Sequence, residues 1–214
     1  MIVNNRITDY INSLEADRSP LISEIGRKAR QEGVPVIREE TAAFLQTMTA
    51  AVKPAAILEV GTAVGYSTLL MAEAMPPACR ITTIEKYEKR IPEARRNFER
   101  AGETGRITLI EGDAQETLKG LTGPFDLVFL DAAKGQYLNW LPRILEIMRP
   151  GGMLISDNVL QDGDIIESRY AVERRNRTIH SRMREYLYEL KHSVKLKTSI
   201  VPIGDGMAVS ILIS

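Results

Sequence analysis

The sequence predicts an α/β fold: a doubly wound, mostly parallel sheet with helices ahead of it and an antiparallel hairpin at its end. Three observations carry this. From residue 56 onward, short apolar runs of strand length alternate with amphipathic stretches of helix length. Residues 4–53 show helical periodicity and no strand. The end of the chain holds two β-rich runs around Gly204-Asp205-Gly206, a tight-turn signal.

Taken in order, Ile7, Ile11 and Leu14 recur at helical spacing, as do Leu21, Ile25 and Ala29 after Pro20. Pro35 breaks the pattern. Thr41, Phe44, Leu45, Met48 and Val52 then form a third amphipathic stretch that stops at Pro54. These helices form a layer on the sheet and a cap over a substrate site. Ile57-Leu58-Glu59-Val60 is a buried strand, 66–74 a helix, 80–85 a second strand and 87–101 a charged helix. A third strand at 107–110 leads to a helix near 114–121. Phe125 to Asp131 is a nearly continuous apolar strand, and 136–148 a helix. Pro150-Gly151-Gly152 turns the chain into a fifth strand, 153–156. Alternation of this kind means right-handed crossovers and a sheet covered on both faces. The runs 196–202 and 207–213 form the hairpin at one sheet edge. The chain reads as one domain, 1–214, with a helical cap (1–53) and an α/β core (54–214).

Bulk properties exclude several classes. The 214 residues are 44% apolar, enough for a buried core. Lys plus Arg balances Asp plus Glu at 28 each, so only local clusters can signal a polyanionic partner. The single cysteine, Cys79, excludes a disulfide framework and a Cys-rich zinc site, and it reads as an incidental thiol. No apolar run approaches the roughly 20 residues that span a bilayer. Met1 to Arg6 lack a signal-peptide core, so the expected location is the cytoplasm, with no membrane partner.

Ligands of open α/β sheets bind beyond the carboxyl ends of the strands, where strand order reverses. The first strand ends in Glu59-Val60-Gly61-Thr62-Ala63-Val64-Gly65. Its Gly-x-x-x-Gly spacing is neither a dinucleotide fingerprint nor a phosphate loop, and no Lys follows to hold a phosphate. It suits a nucleoside without a phosphate chain. Glu85 ends the second strand, where a carboxylate can accept ribose hydroxyls. Asp113-Ala114 follows the third. Asp113 either bonds an adenine amine or caps the next helix.

Residues 58–72, with Glu85 and Asp113 in that order, resemble motif I and its successors in the class I methyltransferases. More narrowly, the chain from about Glu40 onward is similar to the catechol and caffeoyl-CoA type O-methyltransferases, which have a Rossmann-like core. The resemblance implies S-adenosylmethionine as cofactor. It places Glu59, Gly61, Thr62, Ser67 and Asp131 in the cofactor site, Glu85 on the ribose, and Asp113 with Ala114 near the adenine.

The fourth strand ends in Asp131-Ala132-Ala133-Lys134, the fifth in Ser156-Asp157-Asn158. If those strands are adjacent, two carboxylates and an amide oxygen meet at one sheet edge. That donor set suits a hard cation and disfavours zinc. Singly, each residue has an ordinary role as a cap or turn; together they point to a metal. The resemblance implies the same: Asp131, Asp157 and Asn158 match the family's ligands to Mg²⁺ (or Ca²⁺ or Mn²⁺), and Lys134 its catalytic lysine. A metal on the acceptor hydroxyl lowers that hydroxyl's pKa, and Lys134 takes the proton. Gly204-Asp205-Gly206 also matches the family's ending; Asp205 reads mainly as a turn residue.

Residues 169–184 hold Arg169, Arg174, Arg175, Arg177, Arg182 and Arg184 against the single acid Glu173, a local charge of +5. Val172, Ile179, Met183, Leu187 and Leu190 form an apolar stripe, so the segment reads as a helix with one buried and one Arg-rich face. Such a face can neutralise phosphates and stack on bases. The segment resembles the bacterial branch of the family that methylates 5-hydroxyuridine in the tRNA anticodon loop to 5-methoxyuridine. Three readings follow, in order: a tRNA methyltransferase, a small-molecule catechol or caffeoyl-type enzyme, and a non-catalytic protein on this fold. The aromatic content of 6%, with little beyond Phe44 in the cap, counts against the second. The assembled Asp131, Lys134, Asp157 and Asn158 count against the third. The resemblance also implies a homodimer.

Overall fold

The computed structural model describes residues 3–214; Met1 and Ile2, which open the stretch read for a leader, lie outside it. Three helices come first: α1 (Asn5–Ser13), α2 (Pro20–Gln31) and α3 (Glu39–Val52). Each starts where its sequence allows. Asn4 caps α1 by accepting from the Arg6 N–H. Ser19 caps α2, with Pro20 in the first turn, where its missing N–H costs nothing. The α3 helix opens with Glu39 and Glu40 at its positive end and stops at Lys53 in a left-handed conformation before Pro54.

The core alternates β1 (Ala56–Val60), α4 (Tyr66–Ala74), β2 (Arg80–Glu85), α5 (Ile91–Arg100), β3 (Ile107–Glu111), α6 (Ala114–Gly120), β4 (Phe125–Leu130), α7 (Tyr137–Ile147) and β5 (Met148–Ser156). Then come α8 (Arg177–His192), β6 (Leu196–Val201) and β7 (Met207–Leu212). The seven-stranded sheet has the order β3-β2-β1-β4-β5-β7-β6. Strands β1 to β5 are parallel; β7 pairs antiparallel with β5 and with β6. The order reverses between β1 and β4, which puts the topological switch point at the ends of those two strands.

All six residues of β4 are buried, as a central strand covered on both faces requires. One face packs Ile22, Ile25 and Leu45 of the N-terminal helices with Leu70 and Phe129. The other packs Val128 and Leu130 with Trp140, Ile144, Met183 and Tyr186. Each such side chain contributes about 1.5–3 kcal/mol by leaving water. An ion-pair cluster ties the N-terminal layer down. Arg18 and Arg30 both grip Glu39, and both guanidinium groups reach the Tyr66 hydroxyl at 3.4 and 3.5 Å. Among the described residues no helix is long and apolar enough to cross a membrane. Cys79 is buried, and that burial pushes its thiol up to about 11.

Three expectations need correction. The Arg-rich segment is not one helix. Residues 167–173 are irregular, Arg174–Asn176 form a single 3-10 turn, and α8 begins at Arg177. Arg174, Arg175 and Arg177 still stand at the positive end of α8, which has no acid in its first turn and no side-chain cap to offset them. Val172 is buried as a loop anchor, and the buried stripe is His180, Met183, Tyr186 and Leu190. The Pro150-Gly151-Gly152 turn is a register shift inside a longer β5, between the pairs Phe125–Met148 and Leu127–Met153. Finally, α1 buries no residue: Ile7, Ile11 and Leu14 are 53%, 43% and 66% exposed, as surface rather than core.

Candidate active site

The loops leaving the parallel strands run side by side over the sheet's carboxyl edge. The Gly61 N–H donates to the Ile84 carbonyl, Asp131 N–H to Val60, Asp157 N–H to Leu130, and Gly112 N–H to Glu85, all at 2.9–3.0 Å. They frame a cavity of about 1020 Å³. Gly61 is fixed by sterics: its φ is +107°, and a Cβ there would lie 2.0 Å from the Asp131 carbonyl oxygen. The cavity runs from Asp113, Gln115 and Glu116 at one end to Arg38, Thr41 and Asp205 at the other. Pro35, Val36 and Ile37, in the connection between α2 and α3, also line it, while Phe44 lines a separate 390 Å³ groove.

Of the residues singled out for the cofactor, Gly61, Glu85, Asp113, Ala114 and Asp131 line this cavity. Glu59, Thr62 and Ser67 lie beneath the glycine loop instead. Glu59 is fully buried and accepts from Ser67 (2.6 Å), from Thr83 (2.5 Å) and from Thr68. Thr62 shares a hydrogen bond with Thr83. Burial raises the Glu59 carboxyl to about 7, against the three hydroxyls that favour its anion. Glu85 accepts backbone N–H groups from Ala63 (2.7 Å), Lys86 (3.0 Å) and Tyr87 (2.8 Å). A carboxylate offers about four lone-pair sites, so roughly one remains for a ligand. Asp113 is a helix cap here, accepting from Gln115 at 2.8 Å, with Lys86 at 3.4 Å. Tyr87, Arg90, Gln115 and Trp140 also line the cavity and carried no motif signal in the sequence.

At the other end stand Asp131, Lys134, Asp157 and Asn158. The pairing of Leu130 with Ser156 places Asp131 and Asp157 one residue beyond a matched pair on adjacent parallel strands. Burial raises Asp131 to about 6 and Asp157 well above the usual carboxylate range; Asp131 raises Asp157 further, and Lys134 opposes both shifts. Tyr137, which no sequence motif marks, braces the loop: its hydroxyl donates to the Leu130 carbonyl (3.1 Å) and accepts from the Ala132 N–H (3.2 Å). Asn158 has a left-handed φ of 60°, which Asn tolerates better than most residues.

Asp205 is more than a turn residue. Its carboxylate pairs with Arg38 and accepts from the Asn158 side-chain amide at 3.3 Å, 47 residues away. No three Asp, Glu, His or Cys side chains form a metal cage among the described residues. The set at the strand ends is instead two carboxylates and an amide. A buried carboxylate, Asp157, beside the partly buried Asp131, each driven toward protonation, is what a hard divalent cation would relieve.

The 167–176 segment lies against this end of the site through α8. Arg182 donates to the Gly135 carbonyl at 2.9 Å, and a Cβ at Gly135 would touch Ile179. Arg177 reaches back to the Val172 and Tyr170 carbonyls (3.2 and 3.1 Å), with its guanidinium 5.8 Å from the Tyr170 ring. Tyr170 is 81% exposed, and Arg169, Arg174 and Arg175 are exposed beside it in sequence.

Residues 12–213 match the model of a family described as O-methyltransferase. The chain is 33% identical over 175 residues to a catechol O-methyltransferase of Niastella koreensis, covering 77% of this chain and 79% of that protein. It is 29% identical over 177 residues to caffeoyl-CoA O-methyltransferase 1 of Eucalyptus globulus, covering 77% and 69%. The solved structure of a Podospora anserina methyltransferase bound to S-adenosylhomocysteine superposes with a TM-score of 0.88 at 25% identity, covering 98% of this chain and 95% of that one.

Proposed function

The chain belongs to the O-methyltransferase family and is an S-adenosylmethionine-dependent O-methyltransferase; from that premise we propose that it methylates 5-hydroxyuridine in the tRNA anticodon loop with the help of a divalent cation. The observation that carries the RNA reading is the exposed segment before α8. Arg169, Arg174 and Arg175 offer charge to phosphates, and Tyr170 with Arg177 offers a flat, cationic face of the kind that stacks on bases. That segment is joined through Arg182 to the loop bearing Lys134.

The chain's own residues divide the work. Gly61 lets the loop backbone approach a bound cofactor, with Glu85 and Ala114 beside it. Asp131, Asp157 and Asn158 would hold the cation, which would supply acidification of the acceptor hydroxyl. Lys134, within electrostatic reach of both carboxylates, would accept the acceptor's proton once a cation offsets their charge. Pro35 to Arg38 line the same cavity from the side of the N-terminal cap. A cavity of about 1020 Å³ sits at the upper end of the roughly 300–1,000 Å³ typical of small-molecule sites, enough for cofactor and acceptor together. The proposal includes a homodimer, supported by the exposed apolar ridge of Ile7, Tyr10, Ile11 and Leu14 on α1, and a cytoplasmic location, where tRNA is.

A second reading, methylation of a small catechol, is favoured by the names of the relatives. One experiment separates the two. The protein is incubated with labelled S-adenosylmethionine and Mg²⁺, with tRNA from a strain lacking the chain or with a catechol panel. Label in tRNA that disappears with EDTA supports the proposal. Label in catechols alone assigns the second reading and leaves the arginines as solvated surface.

A further inference from the structure

We propose that Asp205 is a positioning residue: it takes the amide N–H of Asn158 and so commits the Asn158 oxygen to the cation, while Arg38 holds Asp205 in place. The inference rests on the cation reading above. An asparagine amide presents either an oxygen or an NH₂, and only the oxygen can ligate a hard cation. A partner outside the coordination shell must choose between the two. Asp205 is that partner, with its Oδ2 3.3 Å from the Asn158 Nδ2.

The rest of the network fixes Asp205. The Leu160 N–H donates to the Asp205 carbonyl (3.0 Å), and the Val159 N–H to that of Gly206 (2.9 Å), clamping the hairpin turn onto the segment after Asn158. A Cβ at Gly206 would lie 2.3 Å from Leu160 Cγ, so the close approach requires glycine. From the other side Arg38 pairs with Asp205 and, at 2.9 and 3.1 Å, with Asp162. Arg38 thus pairs with one Asp205 carboxylate oxygen and Asn158 with the other, while the Asp162 carboxyl that Arg38 also holds lies against the same group. It also precedes α3 and lines the cavity, so the N-terminal cap is tied to the amide that completes the donor set.

The test is Mn²⁺ affinity of the cofactor-free protein, by paramagnetic resonance titration, in four forms: wild type, Asp205→Asn, Asn158→Asp and the double exchange. In Asp205→Asn, Arg38 claims the remaining oxygen and an NH₂ faces the Asn158 NH₂. In Asn158→Asp, two carboxylates face each other. Each single variant should bind Mn²⁺ about 10–100-fold more weakly, the usual cost of losing such a partner. The double exchange restores a donor facing an acceptor and should recover most of that affinity. If Asp205→Asn binds like wild type, Asp205 is only a turn residue and the proposal is overturned. Tighter binding by Asn158→Asp than by wild type overturns it differently, because negative charge rather than orientation then governs the site. If wild type itself binds no Mn²⁺, the cation reading fails first and takes this inference with it. A melting shift on adding S-adenosylmethionine, retained in all four forms, shows that the fold is intact.

Discussion

Replacing Glu59 by Gln should make the protein relatively more stable as pH rises. Glu59 is fully buried beneath the glycine loop, with three hydroxyls donating to it. Burial outweighs those bonds and lifts its carboxyl from 4.5 to about 7. The folded state therefore holds this proton more tightly than the unfolded chain does. That contribution is fully present below pH 4.5 and is lost as pH rises through 7. A difference of about 2.5 pH units at about 1.4 kcal/mol each gives roughly 3 kcal/mol. Urea unfolding of wild type and Glu59→Gln, with EDTA and without cofactor, should be followed from about pH 4.5 to about pH 8. The stability of wild type relative to the variant should fall by about 3 kcal/mol across that range, with the other carboxylates cancelling in the difference. A difference flat within about 1 kcal/mol would show that the hydroxyls keep Glu59 ionised throughout, and the reasoning would be refuted. Thr83→Val, which removes one donor, should move the midpoint of the fall to higher pH.

Asp157→Asn should abolish methyl transfer, yet in EDTA at about pH 8 it should raise the melting temperature. It removes a buried charge that faces the partly buried Asp131, a gain on the order of 1 kcal/mol or roughly 2–4 °C at this chain length; calorimetry checks it. Tyr137→Phe strips the loop of its brace and leaves the Ala132 N–H without its partner, while the Leu130 carbonyl keeps the Asp157 N–H. It should cost about 1–3 kcal/mol by chemical denaturation and lower turnover more than cofactor affinity. Arg174→Glu with Arg175→Glu should weaken tRNA binding and reduce the slope of log affinity against log salt by about 1 for each phosphate no longer neutralised; an unchanged slope removes these residues from the RNA surface.

The parts legible in the sequence are those set by local periodicity. Helix α4 and strand β2 fall where their apolar spacing puts them. The buried run of β4, the alternation of elements and the Gly-x-x-x-Gly loop define the topology, and with it the edge where the strand-end acids gather. Pairings between distant segments were not legible. Arg38 meets Asp162 across 124 residues and Asp205 meets Asn158 across 47, and no spacing rule links such pairs. Asp205 between two glycines looked like a turn because it is one; its carboxylate role depends on where the hairpin folds back. The Arg-rich segment misled for a related reason. Val172 continues the helical stripe in sequence, but it is buried in the loop ahead of α8, a placement that periodicity alone does not encode.

That loop geometry bears on function more than a helix would. A helix would spread its arginines along a rigid face beside the sheet. A loop anchored by Val172 and tied back by Arg177 projects Arg169, Tyr170, Arg174 and Arg175 outward, while the first turns of α8 remain bonded to the Lys134 loop. On the proposed reading, the exposed segment can therefore adapt to a curved polyanion without moving the Lys134 loop. The same division runs through the molecule: the strand-end acids hang from β4 and β5 at the centre of the sheet, and the exposed arginines precede α8. On the proposed RNA reading, a partner bound outside would be joined to the strand-end acids at two points of attachment, Arg182 on the Lys134 loop and Arg38 on Asp205.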